Sequence, residues 1–95
     1  MSETKLTPLF LKTMAQKFDL ETVIYLDLSR RNIQGGIGNL GDCINIMQID
    51  LSNNRITMLS GMESLSKLKM LDLSHNKLTN IDSLKNCISL ERLDL

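Results

Sequence analysis

Ninety-five residues bound a single small domain. Eleven lysines and arginines balance eleven aspartates and glutamates, so no net field draws the chain toward nucleic acid or an anionic membrane. Apolar residues make up 42% of the chain but never form a run of membrane-spanning length, and the polar start from Met1 to Lys5 predicts no signal peptide.

In chain order, Met1 to Lys5 is expected to fray. Thr7 reads as a helix N-cap with Pro8 at the first helical position, where a missing N–H costs nothing. Leu6 before the cap and Leu11 inside the helix are placed for a hydrophobic staple. Leu11, Met14, Ala15 and Phe18 recur at three- and four-residue spacing, which predicts one apolar stripe on a helix over 8–18. Asp19 to Thr22 then turns the chain. Residues 1–22 thus form a helical cap over whatever begins at Val23.

What begins there is a repeat. Ile46, Ile49, Leu51, Asn54, Ile56, Leu59, Met62 and Leu65 return 22 positions later as Leu68, Leu71, Leu73, Asn76, Leu78, Ile81, Leu84 and Cys87. Val23, Leu26, Leu28 and Ile33 open an earlier, degenerate unit with Arg31 in place of the asparagine. That unit is one residue longer, and Gly35-Gly36 is expected to absorb the extra residue. Leu90, Leu93 and Leu95 begin another. The units are 23–45, 46–67, 68–89 and a partial 90–95, which has strand leucines but no asparagine and no return half. The sequence therefore predicts an α/β solenoid, truncated inside a repeat at its C-terminal end.

Each unit opens with alternating apolar and polar residues: Leu26-Asp27-Leu28, Ile49-Asp50-Leu51, Leu71-Asp72-Leu73. That alternation predicts a short parallel strand with its leucines inward. The return halves place apolar residues at every third position, a spacing that suits 3₁₀ or extended turns better than an α-helix. Asn54 and Asn76 stand where the chain leaves the strand. An amide there can satisfy buried backbone groups of neighbouring units, so the two are expected to form a structural ladder. Asn32, outside that ladder, should matter much less.

The spacing L-x-x-L-x-L-x-x-N-x-L resembles the leucine-rich repeat signature, and the period with I/L-D-L-S-x-N is similar to the cytosolic 22-residue class of that family. More narrowly, the segment from Leu6 to Lys12, the run from Phe18 to Leu26 and Gly38 to Cys43 resemble the leucine-rich repeat-containing protein 61 family. The resemblance implies a right-handed solenoid with a parallel concave sheet, an intracellular adaptor role and no catalytic residues.

Stacking the units would place Asp27, Asp50, Asp72 and Asp94 in one concave column and Ser29, Ser52 and Ser74 in another. At ~4.8 Å spacing in water, neighbouring carboxylates repel by under ~1 kcal/mol, so an acidic stripe is tolerable and would suit a basic partner. The same aspartates are also ordinary repeat wording. Their side chains are expected to be solvated, so that reversing Asp50 and Asp72 to lysine would hardly affect stability. Tyr25, Gln48, Met70 and Arg92 form a variable column, and Arg30, Asn53 and His75 another. Tyrosine and arginine are common interface anchors.

Other candidates fail on context. Gly36-Ile-Gly-Asn-Leu-Gly41 is a literal G-x-G-x-x-G, yet no helix of a βαβ unit can follow, because Ile46 opens a strand five residues on. His75, the sole histidine, has no second base or nucleophile beside it. Cys43 and Cys87 occupy one repeat position two units apart, roughly 10 Å by strand spacing, whereas a disulfide needs less than about 7 Å. Buried thiols of this kind point to a reducing compartment, the cytoplasm or the nucleus.

The reading is a non-enzymatic protein-interaction scaffold that takes a protein partner on its concave face. It uses no metal or cofactor, and binds neither nucleic acid nor membrane. End-to-end self-association through the last unit is a further expectation. The rival reading is a truncated structural fragment with little binding of its own.

Overall fold

The computed structural model describes residues 2–95, a flat wedge 35 × 33 × 17 Å. Four strands, β1 (Tyr25–Asp27), β3 (Gln48–Asp50), β5 (Met70–Asp72) and β6 (Arg92–Asp94), make a parallel sheet in the order β1-β3-β5-β6. Its register brings Tyr25, Gln48, Met70 and Arg92 into one row, then Leu26, Ile49, Leu71 and Leu93, then Asp27, Asp50, Asp72 and Asp94. The period written in the sequence is thus the period of the sheet.

Between strands the chain returns through 3₁₀ turns at Gly38–Asp42, Met62–Ser64 and Asp82–Asn86. The apolar residues between strand and return fill one continuous core: Leu28, Leu40, Leu51, Ile56, Met62 and Leu65 have no accessible surface. Later in the stack the core opens, and Ile81 and Leu95 are 40% and 66% exposed. Each main strand also starts with a shared acceptor. The carbonyl of Ile24 takes the N–H groups of Met47 and Gln48, that of Met47 takes Lys69 and Met70, and that of Lys69 takes Glu91 and Arg92.

A second ladder, unannounced by the sequence, runs along the exit from the strands. There β2 (Gln34–Gly35) pairs in parallel with β4 (Arg55–Ile56). The extra residue of the first unit is accommodated at Gly35, whose φ is +69°. A side chain there would meet no atom within 4 Å, so the glycine serves the backbone conformation rather than the space.

The N-terminal segment extends this ladder, which corrects the expectation of fraying. Thr4 forms a parallel bridge with Ile33 and donates its N–H to the Asn32 carbonyl at 3.1 Å. Asn32 in turn donates its amide to the Ser2 carbonyl at 3.0 Å, so it is not the idle position it was expected to be. Met1 lies outside the described residues.

Helix α1 (Pro8–Ala15) starts as expected, with the Phe10 N–H donating to the Thr7 hydroxyl at 3.1 Å. Leu6 and Leu11 both enter the core, and Met14 and Ala15 pack against it. The helix stops three residues before the expected end. Gln16 turns left-handed at φ 56°, and Lys17 donates back to the Lys12 carbonyl at 3.1 Å, the closing bond of a Schellman motif. Phe18 consequently leaves the stripe and stands 95% exposed.

Candidate functional site

The expected functional surface is the outer face of the four-stranded sheet, and its two columns behave differently. The aspartates bond locally. Asp27 Oδ1 accepts the Ser29 N–H at 3.0 Å and the Ser29 hydroxyl at 2.7 Å. Asp50 does the same with Ser52 at 2.9 and 2.6 Å, and Asp72 with Ser74 at 3.0 and 2.6 Å. Each pair is an Asx turn that ends a strand and satisfies an N–H that the ladder leaves behind.

This overturns the expectation that reversing Asp50 and Asp72 would be harmless. Both are half-buried acceptors of two hydrogen bonds, and a lysine can accept none. The serine column is likewise consumed; Ser52 is buried. Asp94 makes a different contact, an ion pair with Arg92 at 3.3 Å that partly neutralises that end of the stripe.

The hydrogen bonds hold Asp27 and Asp72 below the ordinary carboxylate value of 3.8, chiefly through the serine hydroxyls and then the serine N–H groups. A depressed folded value makes the ionised form the stabilising one. Its contribution is present above the ordinary value and lost as pH falls through the folded one. Stability is therefore expected to decline as pH drops below about 4, and Ser29→Ala with Ser74→Ala should flatten that decline. Thermal melts between pH 6 and 3 check this; an unchanged acid slope in the double variant would contradict the assignment.

Tyr25, Gln48, Met70 and Arg92 make the exposed column. All four are exposed, and Tyr25 and Met70 keep 51% and 36% of their surface in water. Arg92 reaches Asp94, while neither Tyr25 nor Met70 enters the core. Burial, first, and the nearby charges of Asp27 and Asp50 raise the Tyr25 phenol above its usual value, so it stays a neutral donor. Gln48, Met70 and Arg92 line a shallow depression of about 200 Å³ together with Asp50 and Asp72.

The remaining sequence candidates resolve into structure. Arg30, Asn53 and His75 share a left-handed backbone, with φ of 55°, 59° and 59°, at the turn that leaves each strand. They are conformational positions, and asparagine and histidine tolerate that region better than most residues. Asn54 Oδ1 accepts from the N–H groups of Arg31 and Ile33 at 3.1 and 3.0 Å, and its Nδ2 donates to the carbonyls of Leu28, Leu51 and Ser52. Asn76 repeats this one unit on, accepting from Ile56 at 3.0 Å and donating to Leu51, Leu73 and Ser74. Each amide thus links two neighbouring units.

The glycines of the G-x-G-x-x-G run are spacers. A Cβ on Gly38 (φ +58°) would come within 2.9 Å of the Leu6 carbonyl oxygen, and one on Gly41 would overlap the Gly61 carbonyl. Both are needed so that the N-terminal segment and the next unit can pack close. Cys43 and Cys87 are free and buried. Burial, first, and then Asp42 push the Cys43 thiol up to about 11, which leaves it protonated and unreactive at neutral pH. Among the described residues no cluster of three or more His, Cys, Asp or Glu could hold a metal, and no helix is long and apolar enough to cross a membrane.

Two signals escaped the sequence reading. Ile24, just before the sheet, is 56% exposed, and the repeat pattern assigns it no role. Phe18 escaped because a stripe at helical spacing does not say where the helix stops.

Comparison with known proteins agrees with this architecture. No curated protein sequence matches. Among solved structures, internalin C2 from Listeria monocytogenes str. 4b F2365 superposes with a TM-score of 0.80 at 26% identity, over 90% of this chain and 41% of that one. The chain thus spans about two-fifths of the length of that relative. The model for leucine-rich repeats (two copies) matches residues 48–86 and 66–95. With half of its length matched by that model and every unit in register, the chain belongs to the leucine-rich repeat family.

Proposed function

We propose a protein-interaction role for this chain, in keeping with a family whose members generally mediate protein–protein contacts and are typically non-enzymatic. We propose that this chain is an intracellular adaptor of the leucine-rich repeat-containing protein 61 type that takes a protein partner on its concave sheet. The observation that carries the reading is the row Tyr25–Gln48–Met70–Arg92: four side chains in strand register, exposed together, and spared by the core. An exposed tyrosine on a rigid sheet supplies apolar contact at low entropic cost, the flexible methionine beside it can adapt its shape to a partner, and Arg92 supplies donors. The aspartates give the row its acidic flank. The two buried, unpaired cysteines support a reducing compartment.

Photo-crosslinking residues introduced at Gln48 and Met70, and at the exposed return-face Met58, test the reading in cells. Crosslinks to one recurring protein from positions 48 and 70, with Met58 silent, are expected. Equal crosslinking from Met58, or crosslinking from Met58 alone, would overturn the concave assignment.

A second copy is the other partner we propose for the 95-residue polypeptide, at β6. Antiparallel pairing of two β6 strands about Leu93 would set Arg92 of each copy opposite Asp94 of the other, and would cover Leu95 and Ile81 beside a groove of about 340 Å³. Sedimentation across a concentration series is expected to show a dimer that Arg92→Asp weakens; a monomer at every concentration would refute it.

A further inference from the structure

The face of α1 turned away from the core carries an apolar groove that neither the repeats nor the concave row uses. Leu9, 75% exposed, and Phe18, 95% exposed, both line a depression of about 410 Å³, together with Lys12, Thr13, Gln16 and Lys17. The early stop at Gln16 creates it. Had the helix run on to Phe18, that ring would have joined Leu11 and Met14 on the core side. The left-handed turn sends it to solvent instead. A phenylalanine with almost its whole surface in water, beside an exposed leucine, is the kind of patch that marks a contact.

The charge around the groove selects the occupant. Its only ionised lining residues are Lys12 and Lys17, and Asp19, next after Phe18, does not line it. A carboxylate entering there meets two ammonium groups in the lining, within a chain whose overall charge is zero. We propose that this groove docks an acidic amphipathic segment of a partner protein. The segment seats an apolar side chain between Leu9 and Phe18 and sets carboxylates against Lys12 and Lys17. Two lysines are too few for anionic lipid to be the better fit, since stable membrane attachment takes a second strong signal beside a small apolar anchor. The site is separate from the concave row, so either can fail alone.

The test uses the intact chain, isotopically labelled, titrated with two synthetic twelve-residue peptides that share one pattern of leucine and phenylalanine. One carries glutamate at its polar positions and the other lysine. Vesicles of phosphatidylserine and phosphatidylcholine form a third arm. The acidic peptide is expected to shift the amides of Lys12, Gln16, Lys17 and Phe18 saturably, with an affinity that falls as salt rises. Phe18→Ser is expected to weaken it at least tenfold without moving the melting temperature, because the ring lies outside the core. Lys12→Glu with Lys17→Glu should switch preference to the basic peptide. Indifference to peptide charge, shifts at Tyr25 and Met70 instead, or binding to vesicles but to neither peptide would each overturn the proposal.

Discussion

Asn54→Ala is expected to lower the unfolding free energy by about 3 kcal/mol, because it leaves buried N–H groups unpaired at roughly 1–3 kcal/mol each. The side chain accepts from Arg31 and Ile33 and donates to three carbonyls in two units, so no single neighbour can replace it. Asn76→Ala should cost about half as much, since Asn76 accepts from one N–H, that of Ile56, and is only half-buried. Asn32 is no longer a neutral comparator, given its bond to the Ser2 carbonyl and its left-handed φ of 55°. Urea melts with unchanged m-values would show the order Asn54 above Asn76. Small and equal losses would mean that water replaces the amides, and that the ladder is not structural.

The ladder was legible in the sequence because its cause is periodic. A side chain that bonds the backbone of the neighbouring unit must recur once per unit, and the 22-residue step exposed it. The three strand columns were legible for the same reason, and the register confirms each pairing. What each column does was less legible. Asp27 and Tyr25 sit on one face two residues apart, yet one closes an Asx turn with Ser29 and the other is free. Repetition alone cannot separate these cases. The repeated Asp-x-Ser spacing did hold the signal, since an aspartate two residues before a serine is placed to bond both its N–H and its hydroxyl. The end of α1 was illegible for a different reason. Its left-handed residue is Gln16, neither glycine nor asparagine, so no stop signal is written there. The pairing of Thr4 with Ile33 depends on tertiary proximity, to which local propensity is blind.

Removal of residues 1–17 is expected to abolish cooperative unfolding and to drive aggregation. The segment covers the first unit in three ways. Leu6 and Leu11 enter the core at 4% and 0% exposure. The Leu6 carbonyl accepts the Asn39 N–H at 3.1 Å, and Thr4 extends the second ladder at Ile33. Without it Val23, Leu26 and Leu28, all now at 1% exposure or less, would border water. Leaving a large aliphatic side chain exposed forfeits about 1.5–3 kcal/mol, and a domain of this kind holds about 5–15 kcal/mol in total. Loss of two or three such burials therefore reaches the whole stability, and stacked units fail together when an end is opened. Point variants separate covering from mere bulk. Leu11→Ala should cost about 2–5 kcal/mol by opening a cavity, and Gly38→Ala should destabilise by forcing a methyl against the Leu6 carbonyl at a φ of +58°. Phe18→Ser, just after that segment and outside the core, should leave the melt unchanged. A truncated chain that stays monomeric and melts where the intact one does would show instead that α1 is an arm lying on a domain already complete at Val23.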